Sequence, residues 1–109
     1  MRKAEIKRKT KETSIELIVN LDGTGKSSIS TPFGMLTHMI EQISKHALID
    51  INLKVSGDTE TGSHHVVEDT AIVLGEAFDK ALGDRAGIER MADSTVPLDE
   101  SLSMVAIDL

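Results

Sequence analysis

The sequence predicts an α+β domain in which a mixed or antiparallel β-sheet carries two helices on one face. Three observations predict this class. Apolar residues alternate along the first thirty residues in the period of a strand, two later stretches repeat them at helical spacing, and no helix follows the last strand-like segments. Because a helix and a one-sided sheet must each bury an apolar face, both helices are expected on the same face.

The first three segments are predicted to be strands, near residues 2–9, 14–21 and 26–30. Apolar residues of the second segment share one parity, as the buried face of a strand requires: Ile15, Leu17, Val19 and Leu21. Residues 21–25, Leu-Asp-Gly-Thr-Gly, have the composition of a turn. We therefore expect the third strand to fold back as part of an antiparallel meander.

A helix is predicted from residues 30–32, Ser-Thr-Pro, to about Ala47. The hydroxyls can cap its start, and the missing N–H of a proline costs nothing at the first helical position. Its apolar residues are spaced for one buried stripe: Leu36, Ile40, Ile43 and Ala47. Two further residues are interpreted as packing residues: Met35 and Met39.

A strand over residues 49–55 and a polar loop over 59–63 are predicted next. A second helix follows over 64–82, with Ser63 as its cap and Gly83 as its stop. Its apolar stripe is Val66, Thr70, Val73, Leu74, Ala77 and Ala81. The last strands are predicted at 88–91 and 101–109, separated by a turn at 97–100, and resemble the start of a second unit.

Length and composition fit one small domain outside a membrane. With 109 residues and 11.8 kDa, the chain can bury about two-thirds of its unfolded surface, which suffices for one core. No apolar run approaches the roughly 18 residues of a membrane span, and the basic start lacks the apolar stretch of a secretory signal. We therefore expect a cytoplasmic protein with no membrane partner.

Charge and residue types exclude several functions. Twelve Lys and Arg against eighteen Asp and Glu give a net charge of -6, and two Phe with no Tyr or Trp offer little for stacking on bases. We therefore expect no nucleic-acid partner. Because the chain has no cysteine, disulfides, thiolate zinc sites and a cysteine nucleophile are excluded. Any metal must be bound through nitrogen and oxygen.

The four histidines are the strongest candidates for function. On the second helix, the spacing turns three side chains toward one side, nearly opposite the apolar stripe: His64, His65 and Glu68. On the first helix, another set is spaced by four residues and also lies opposite the apolar stripe: His38, Gln42 and His46. One exposed histidine is most often a solvated residue, but four on polar helix faces favour a binding site.

The donor types are those of a metal site without thiolate. Imidazole and carboxylate suit manganese, iron, nickel or zinc, and the residue types do not choose among them. Because neighbouring residues on a helix point about 100° apart, His64 and His65 are better placed for two ions than for one. The spacing therefore indicates a dinuclear site. Asp69 is interpreted as a carboxylate that orients a histidine rather than as a ligand.

The chain from Arg2 to Leu109 resembles the first part of the imidazoleglycerol-phosphate dehydratases, which act in histidine biosynthesis. The resemblance rests on short motifs whose order and spacing fit without gaps. They are RKTKET at 8–13, LDGTG at 21–25, LTHM at 36–39, KH at 45–46, GD at 57–58, HHVVED at 64–69, LG at 74–75, ALG at 81–83, IER at 88–90 and VPLDE at 96–100.

The resemblance implies a manganese-dependent lyase that removes water from imidazole glycerol phosphate to give imidazole acetol phosphate. It implies two Mn²⁺ ions per site, with ligands at His38, His64, His65 and Glu68. The positions that match catalytic or substrate-contacting residues are Glu12, Gln42, His46 and Arg90. Acid–base work is assigned to Glu12. The phosphate is assigned to Arg90, whose planar guanidinium fits it better than an ammonium does.

The resemblance also implies an architecture, one half of a duplicated dehydratase fold of the ribosomal S5 domain 2-like type. Residues 1–86 correspond to the first half-domain, and 87–109 to the opening strands of an incomplete second half-domain. The partner is a small-molecule phosphate. Self-association into a large homo-oligomer is implied, because the family builds its metal sites between subunits.

The sequence departs from the family pattern in two places. Thr37 stands where the family has Asp, and Gly62 and Ser63 stand where an acidic residue usually precedes the paired histidines. The chain also carries a single paired-histidine helix, which is half of the implied ligand set. The competing interpretation is therefore a non-catalytic manganese-binding or assembly module derived from the enzyme.

Overall fold

The computed structural model describes all residues 1–109 and contains two helices and two sheets. The elements in chain order are β1 (Lys3–Lys9), β2 (Thr13–Asn20), β3 (Ser27–Ser30), α1 (Gly34–Ala47), β4 (Asp50–Gly57), α2 (His64–Leu82), β5 (Met91–Leu98) and β6 (Ser101–Asp108). The expected α+β class is confirmed. Neither helix combines the length and the apolar content that a membrane crossing requires.

The main sheet has four strands in the order β1-β2-β4-β3. β2 pairs antiparallel with both β1 and β4, whereas β3 pairs parallel with β4. The meander predicted for the first three strands is therefore wrong at its third strand. The reason is the connection, because α1 leads from β3 to β4 and parallel neighbours require such a crossover.

The turn after β2 is held by a carboxylate from β4. Asp50 Oδ1 accepts hydrogen bonds from the amides of Thr24 and Lys26, both at 2.9 Å. A Cβ on Gly23 would lie 2.5 Å from the backbone nitrogen of Asp50, so only glycine permits this approach. These amide bonds also lower the pKa of Asp50. The turn therefore leads the chain past β4 to the far edge of the sheet.

The core lies on one face of the main sheet. Alternate residues of β2 and β4 are buried, and α2 covers them with a stripe at helical spacing. The buried apolar residues are Ala4, Ile15, Leu17, Val19, Ile40, Ile49, Ile51, Leu53, Val55, Val66, Val73, Ala77 and Ala81. Both helices pack on this face, as predicted. Glu16 and Ile18 of β2 lie on the opposite, exposed face.

The first helix begins later than predicted. α1 starts at Gly34, with Phe33 at its N-cap position and no side-chain cap. The Thr31 hydroxyl instead accepts a hydrogen bond from the Phe33 amide at 3.1 Å and lies 2.8 Å from the Thr37 hydroxyl. It therefore organises the approach to the helix rather than its first turn. The predicted end at Ala47 is confirmed.

The buried stripe of α1 also differs from the prediction. Ile40 and Ser44 are buried, and the Ser44 hydroxyl donates to the carbonyl of Ile49 at 2.7 Å. Since that bond satisfies the hydroxyl, a serine can occupy a core position. Four apolar residues that were expected to pack are exposed: Met35, Met39, Ile43 and Ala47.

The second helix agrees with the prediction. α2 spans His64–Leu82 and ends at Gly83. Its buried residues are Val66, Thr70, Val73, Ala77 and Ala81, with Leu74 partly buried. Ser63 lies at the N-cap position, but its hydroxyl makes no cap hydrogen bond.

The last two strands form a separate hairpin. The strand predicted at 88–91 is wrong in position, because β5 begins only at residue 91. The strand predicted at 101–109 is present as β6, and the turn before it lies at Asp99 and Glu100 rather than over 97–100. Pro97 suggested a turn, yet it pairs with Leu102 inside the ladder. A proline is tolerated there because each strand of a two-stranded sheet is an edge. Every residue of both strands is exposed.

The register of this hairpin repeats that of β1 and β2. Lys3 pairs with Asn20 in the first hairpin and Met91 with Asp108 in the second, and the following pairs keep the same offset. In both hairpins an arginine carbonyl accepts the amide of a leucine, at 2.9 and 3.0 Å. The division of the chain into 1–86 and 87–109 stays a prediction, with which this register is consistent.

We expect Asp22→Asn to weaken the acid dependence of stability. Arg2 binds Asp22 through its backbone amide at 2.7 Å and its guanidinium at 2.8 Å, and these bonds lower the Asp22 pKa to about 2. A folded-state pKa below the unfolded value stabilises the fold above about pH 4, and this contribution disappears as the pH falls through about 2. As the pH is lowered from about 4 to about 2, the urea concentration at the unfolding midpoint should fall less in Asp22→Asn than in the unsubstituted chain. Equal slopes would contradict the role of this pair.

Candidate active site

Glu12 is held by its backbone in the turn between β1 and β2. Its amide donates to the Thr10 hydroxyl at 3.1 Å, and its carbonyl accepts the amide of Asp58 at 2.7 Å. The carboxylate takes no part in these bonds and the residue is exposed. The turn is therefore fixed while the acidic group stays free for chemistry.

Gly57 allows β4 to approach this turn closely. A Cβ at that position would lie 2.7 Å from the Glu12 carbonyl oxygen and 2.9 Å from Thr13 Cγ2. Real Cβ atoms do not reach a backbone oxygen at this distance. The end of β4 and the Glu12 turn can therefore keep their separation only with glycine here.

We expect Gly57→Ala to lower the free energy of unfolding by about 1–3 kcal/mol, as overpacking generally does, and to displace the Glu12 turn. Urea unfolding measures the effect. The matched control is Gly75→Ala, where an added Cβ meets nothing within 4 Å in the middle of α2. That change should raise stability by up to about 1 kcal/mol through helix propensity. A Gly57→Ala chain as stable as the control would refute the close approach.

The start of α2 carries the histidine pair on its exposed side. His64 Nε2 lies 3.2 Å from Glu68 Oε2, one helical turn away. The rings of His64 and His65 have centroids 5.3 Å apart and planes inclined by 62°. The predicted convergence is thus present for His64 and Glu68, whereas His65 points elsewhere.

Asp58 connects the histidine pair with the Glu12 turn. Its amide binds the Glu12 carbonyl, and its Oδ2 lies 3.6 Å from His65 Nδ1. The Thr61 hydroxyl lies 3.5 Å from the same ring nitrogen. Glu12 and His65 therefore lie at the same end of the sheet. Sequence spacing did not single out Asp58, because its contacts depend on the pairing of β4 with β2.

Asp69 does not orient a histidine, contrary to the prediction. Its Oδ2 accepts the hydroxyl of Thr13 at 2.6 Å, and its Oδ1 lies 3.1 Å from Arg8 Nη1. The Thr13 hydrogen bond, followed by the Arg8 cation, lowers the pKa of Asp69. The histidine interpretation was wrong because both partners of Asp69 belong to strands, Arg8 to β1 and Thr13 to β2.

The predicted residues of α1 stay on their own helix. His46 Nε2 lies 3.1 Å from Gln42 Oε1, and His38 is exposed one turn earlier. No hydrogen bond or ion pair joins these side chains to those of α2. Arg90 pairs with Asp108 at 2.6 Å, within the second hairpin. Side-chain bonds therefore do not join these predicted substrate residues to the Glu12 turn.

The histidine and carboxylate side chains are of the kinds that bind a divalent ion, but too few of them lie close together in one chain. No three histidine or acidic side chains of the chain come close enough to hold one ion. His64 and Glu68 are spaced as two ligands of one ion could be, and nitrogen and oxygen donors fit manganese. Within one chain, the predicted convergence of all four ligands on shared positions is not seen.

The fold and the site together define a class of protein. It is an α+β domain in which one helix carries exposed histidine and carboxylate side chains at one end of the sheet. A sequence profile of imidazoleglycerol-phosphate dehydratase matches residues 31–109. The chain belongs to the imidazoleglycerol-phosphate dehydratase family.

Individual relatives match along the whole chain. The imidazoleglycerol-phosphate dehydratases of Bifidobacterium animalis subsp. lactis and Hydrogenovibrio crunogenus are each 55% identical, over 99% and 100% of this chain. That of Methylobacterium radiotolerans is 51% identical over 100%. The matches cover 54–56% of these relatives. The chain thus spans about half the length of the curated relatives it matches.

Proposed function

We propose that this chain supplies half of the active site of a manganese-dependent dehydratase. It would convert imidazole glycerol phosphate to imidazole acetol phosphate for histidine biosynthesis in the cytoplasm. Family membership and the name shared by the relatives support the reaction. The carrying observation is that the Glu12 turn and the histidine end of α2 lie at one end of the sheet, where Asp58 binds the Glu12 carbonyl and lies 3.6 Å from His65 Nδ1.

The reaction requires proton transfer at two neighbouring carbons. One carbon loses a proton, the next loses hydroxide that leaves as water, and the resulting enol becomes a ketone by moving a proton back to carbon. Glu12 is suited to these transfers because its carboxylate is exposed and its backbone is fixed. A group that takes and returns protons must be both accessible and well placed.

Substrate binding is assigned to residues outside this cluster. Arg90 would bind the phosphate, which a guanidinium does through paired hydrogen bonds. Arg90 now binds the carboxylate of Asp108, and the phosphate of the substrate would take the place of that carboxylate. Gln42 and His46 would bind further polar groups of the substrate from α1.

Four residues would hold manganese: His38, His64, His65 and Glu68. When bound, the ion supplies Lewis-acid polarisation of a substrate nitrogen or oxygen. Because one chain brings no three donors together, we propose that further donors come from a second half-domain or a second chain. Asp58 Oδ2 faces His65 Nδ1 at 3.6 Å, which leaves the other ring nitrogen, Nε2, to the ion.

Self-association is part of this proposal. Apolar side chains of α1 are exposed, among them Met35 at 70% and Met39 at 50%. They border an open groove between the starts of the two helices, which Phe33 and Val67 also line. Exposed apolar surface of this kind marks interaction sites. Light scattering of the purified chain tests the assembly, and a monomer at all concentrations would contradict it.

The reaction is tested by adding Mn²⁺ and imidazole glycerol phosphate to the purified chain and following product formation. Dehydration that disappears in Glu68→Gln and persists in Glu76→Gln supports catalysis, since Glu76 is an exposed carboxylate of the same helix. Manganese binding without turnover at high protein concentration would instead support the non-catalytic module.

A further inference from the structure

Two residues that neighbour the proposed site are hydrogen-bonded to each other. Thr13 follows Glu12 and is buried, with 3% of its surface exposed, and its hydroxyl donates to Asp69 at 2.6 Å. Asp69 follows Glu68 on α2. The bond therefore links the turn with the proposed acid–base residue to the helix with the proposed ligands.

Asp69 is held from both sides in a nearly closed environment. Its side chain is 13% exposed, and each of its oxygens has one partner, the Thr13 hydroxyl or the Arg8 guanidinium at 3.1 Å. A buried carboxylate is stable only when it is paired in this way. Arg8 reaches it from the inward parity of β1, which Ala4 and Ile6 share. The charge pair therefore lies on the side of β1 that faces α2.

The other bonds of the Glu12 turn lead to strands and loops rather than to the helix. The Glu12 amide binds Thr10 within the turn, and its carbonyl binds Asp58 at the end of β4. Asp58 reaches α2 only by the 3.6 Å approach to His65, which is too long for a hydrogen bond. The Thr13 bond to Asp69 is therefore the firm connection between the turn and α2.

We propose that Asp69 is a positioning residue: through Thr13 it fixes the distance between the Glu12 turn and the ligand-bearing start of α2. The chemical meaning of this link rests on the proposed function. Asp69 itself touches neither substrate nor metal, and it acts by holding the carboxylate of Glu12 within reach of what α2 binds. Displacing a catalytic group by about 1 Å can lower the rate by about 100-fold.

The test compares Thr13→Val, which removes the hydroxyl at nearly constant shape, with Thr13→Ser, which keeps it. A nitroxide label on Ala71→Cys reports the distance, because the chain has no other cysteine and Ala71 is exposed on α2. We expect the broadening of the Glu12 amide signal to change in Thr13→Val and in Asp69→Ala. Thr13→Ser and Glu76→Gln should match the unsubstituted chain. The measurement needs neither metal nor turnover.

Turnover provides the second readout. Thr13→Val and Asp69→Ala should lower kcat by about 10–100-fold with KM unchanged, whereas Thr13→Ser should keep the kcat of the unsubstituted chain. If the Glu12 amide signal is broadened equally in Thr13→Val and in the unsubstituted chain, the proposal is wrong. This result decides the matter even if Asp69→Ala does not fold. Failure of the proposed function has a different signature: the unsubstituted chain does not dehydrate the substrate, while the label distance still decides whether Asp69 positions the turn.

Discussion

We expect Glu12→Gln to lower the rate of the proposed dehydration by about 10²–10⁴-fold, which is the usual contribution of a general acid or base. Glutamine keeps the shape of the side chain but does not take up or release the proton. The bonds that hold the turn run through the backbone of Glu12, so the fold is retained. Initial rates at saturating substrate and Mn²⁺, on protein shown to be folded by circular dichroism, measure the effect.

Glu16→Gln is the matched control for this prediction. Glu16 lies on the exposed outer face of β2, away from the helices, so its loss should leave the rate unchanged. Manganese affinity should be the same in both variants, because neither residue is a proposed ligand. A Glu12→Gln rate equal to that of the control would show that another group transfers the proton.

We expect Leu17→Ala to lower the free energy of unfolding by about 2–5 kcal/mol, the range typical of large-to-small changes in cores. Leu17 is 0% exposed and lies between Ile6 of β1 and Leu53 of β4. Alanine leaves a cavity that the two flanking strands cannot close. Because a domain of this size is stable by only about 5–15 kcal/mol, the loss is a large fraction of the total.

Ile18→Ala provides the comparison in the same strand. Ile18 is 46% exposed on the opposite face of the sheet, and a change on such a surface usually shifts stability by less than about 0.5 kcal/mol. Urea unfolding of both variants measures the difference. Similar losses in the two would mean that the apolar core does not lie where the alternation of β2 places it.

The local elements and the antiparallel pair of β1 and β2 could be predicted from the sequence, but the neighbour of β3 could not. Alternation and helical spacing are local, so they found β2, β4 and α2 nearly to the residue. The position of β3 beside β4 depends on the α1 crossover and on the hold of Asp50 on the turn. On α1, apolar spacing favoured Ile43 over Ser44, because it does not show that a serine hydroxyl finds a buried carbonyl.

The roles of the candidate site residues stay predictions, and their geometry could be predicted only in part from the sequence. The pair of His64 and Glu68 follows from helical spacing alone. Asp58 was missed, because its link to Glu12 exists only once β4 pairs with β2. Thr13 did carry a signal, since it is a polar residue on the buried parity of Ile15 and Leu17. A polar residue at such a position must find a partner, and here the partner is Asp69.

The central claim is that the Glu12 turn and the histidine end of α2 form one site at one end of the sheet. Substoichiometric Mn²⁺ added to the ¹⁵N-labelled chain tests it most directly, since paramagnetic broadening falls steeply with distance. The account predicts that the amide signals of Glu12, Asp58 and His65 broaden first. Those of Lys3 and Asn20, which pair at the opposite end of β2, should stay sharp. Broadening centred on Lys3 and Asn20, or spread evenly over the chain, would contradict it.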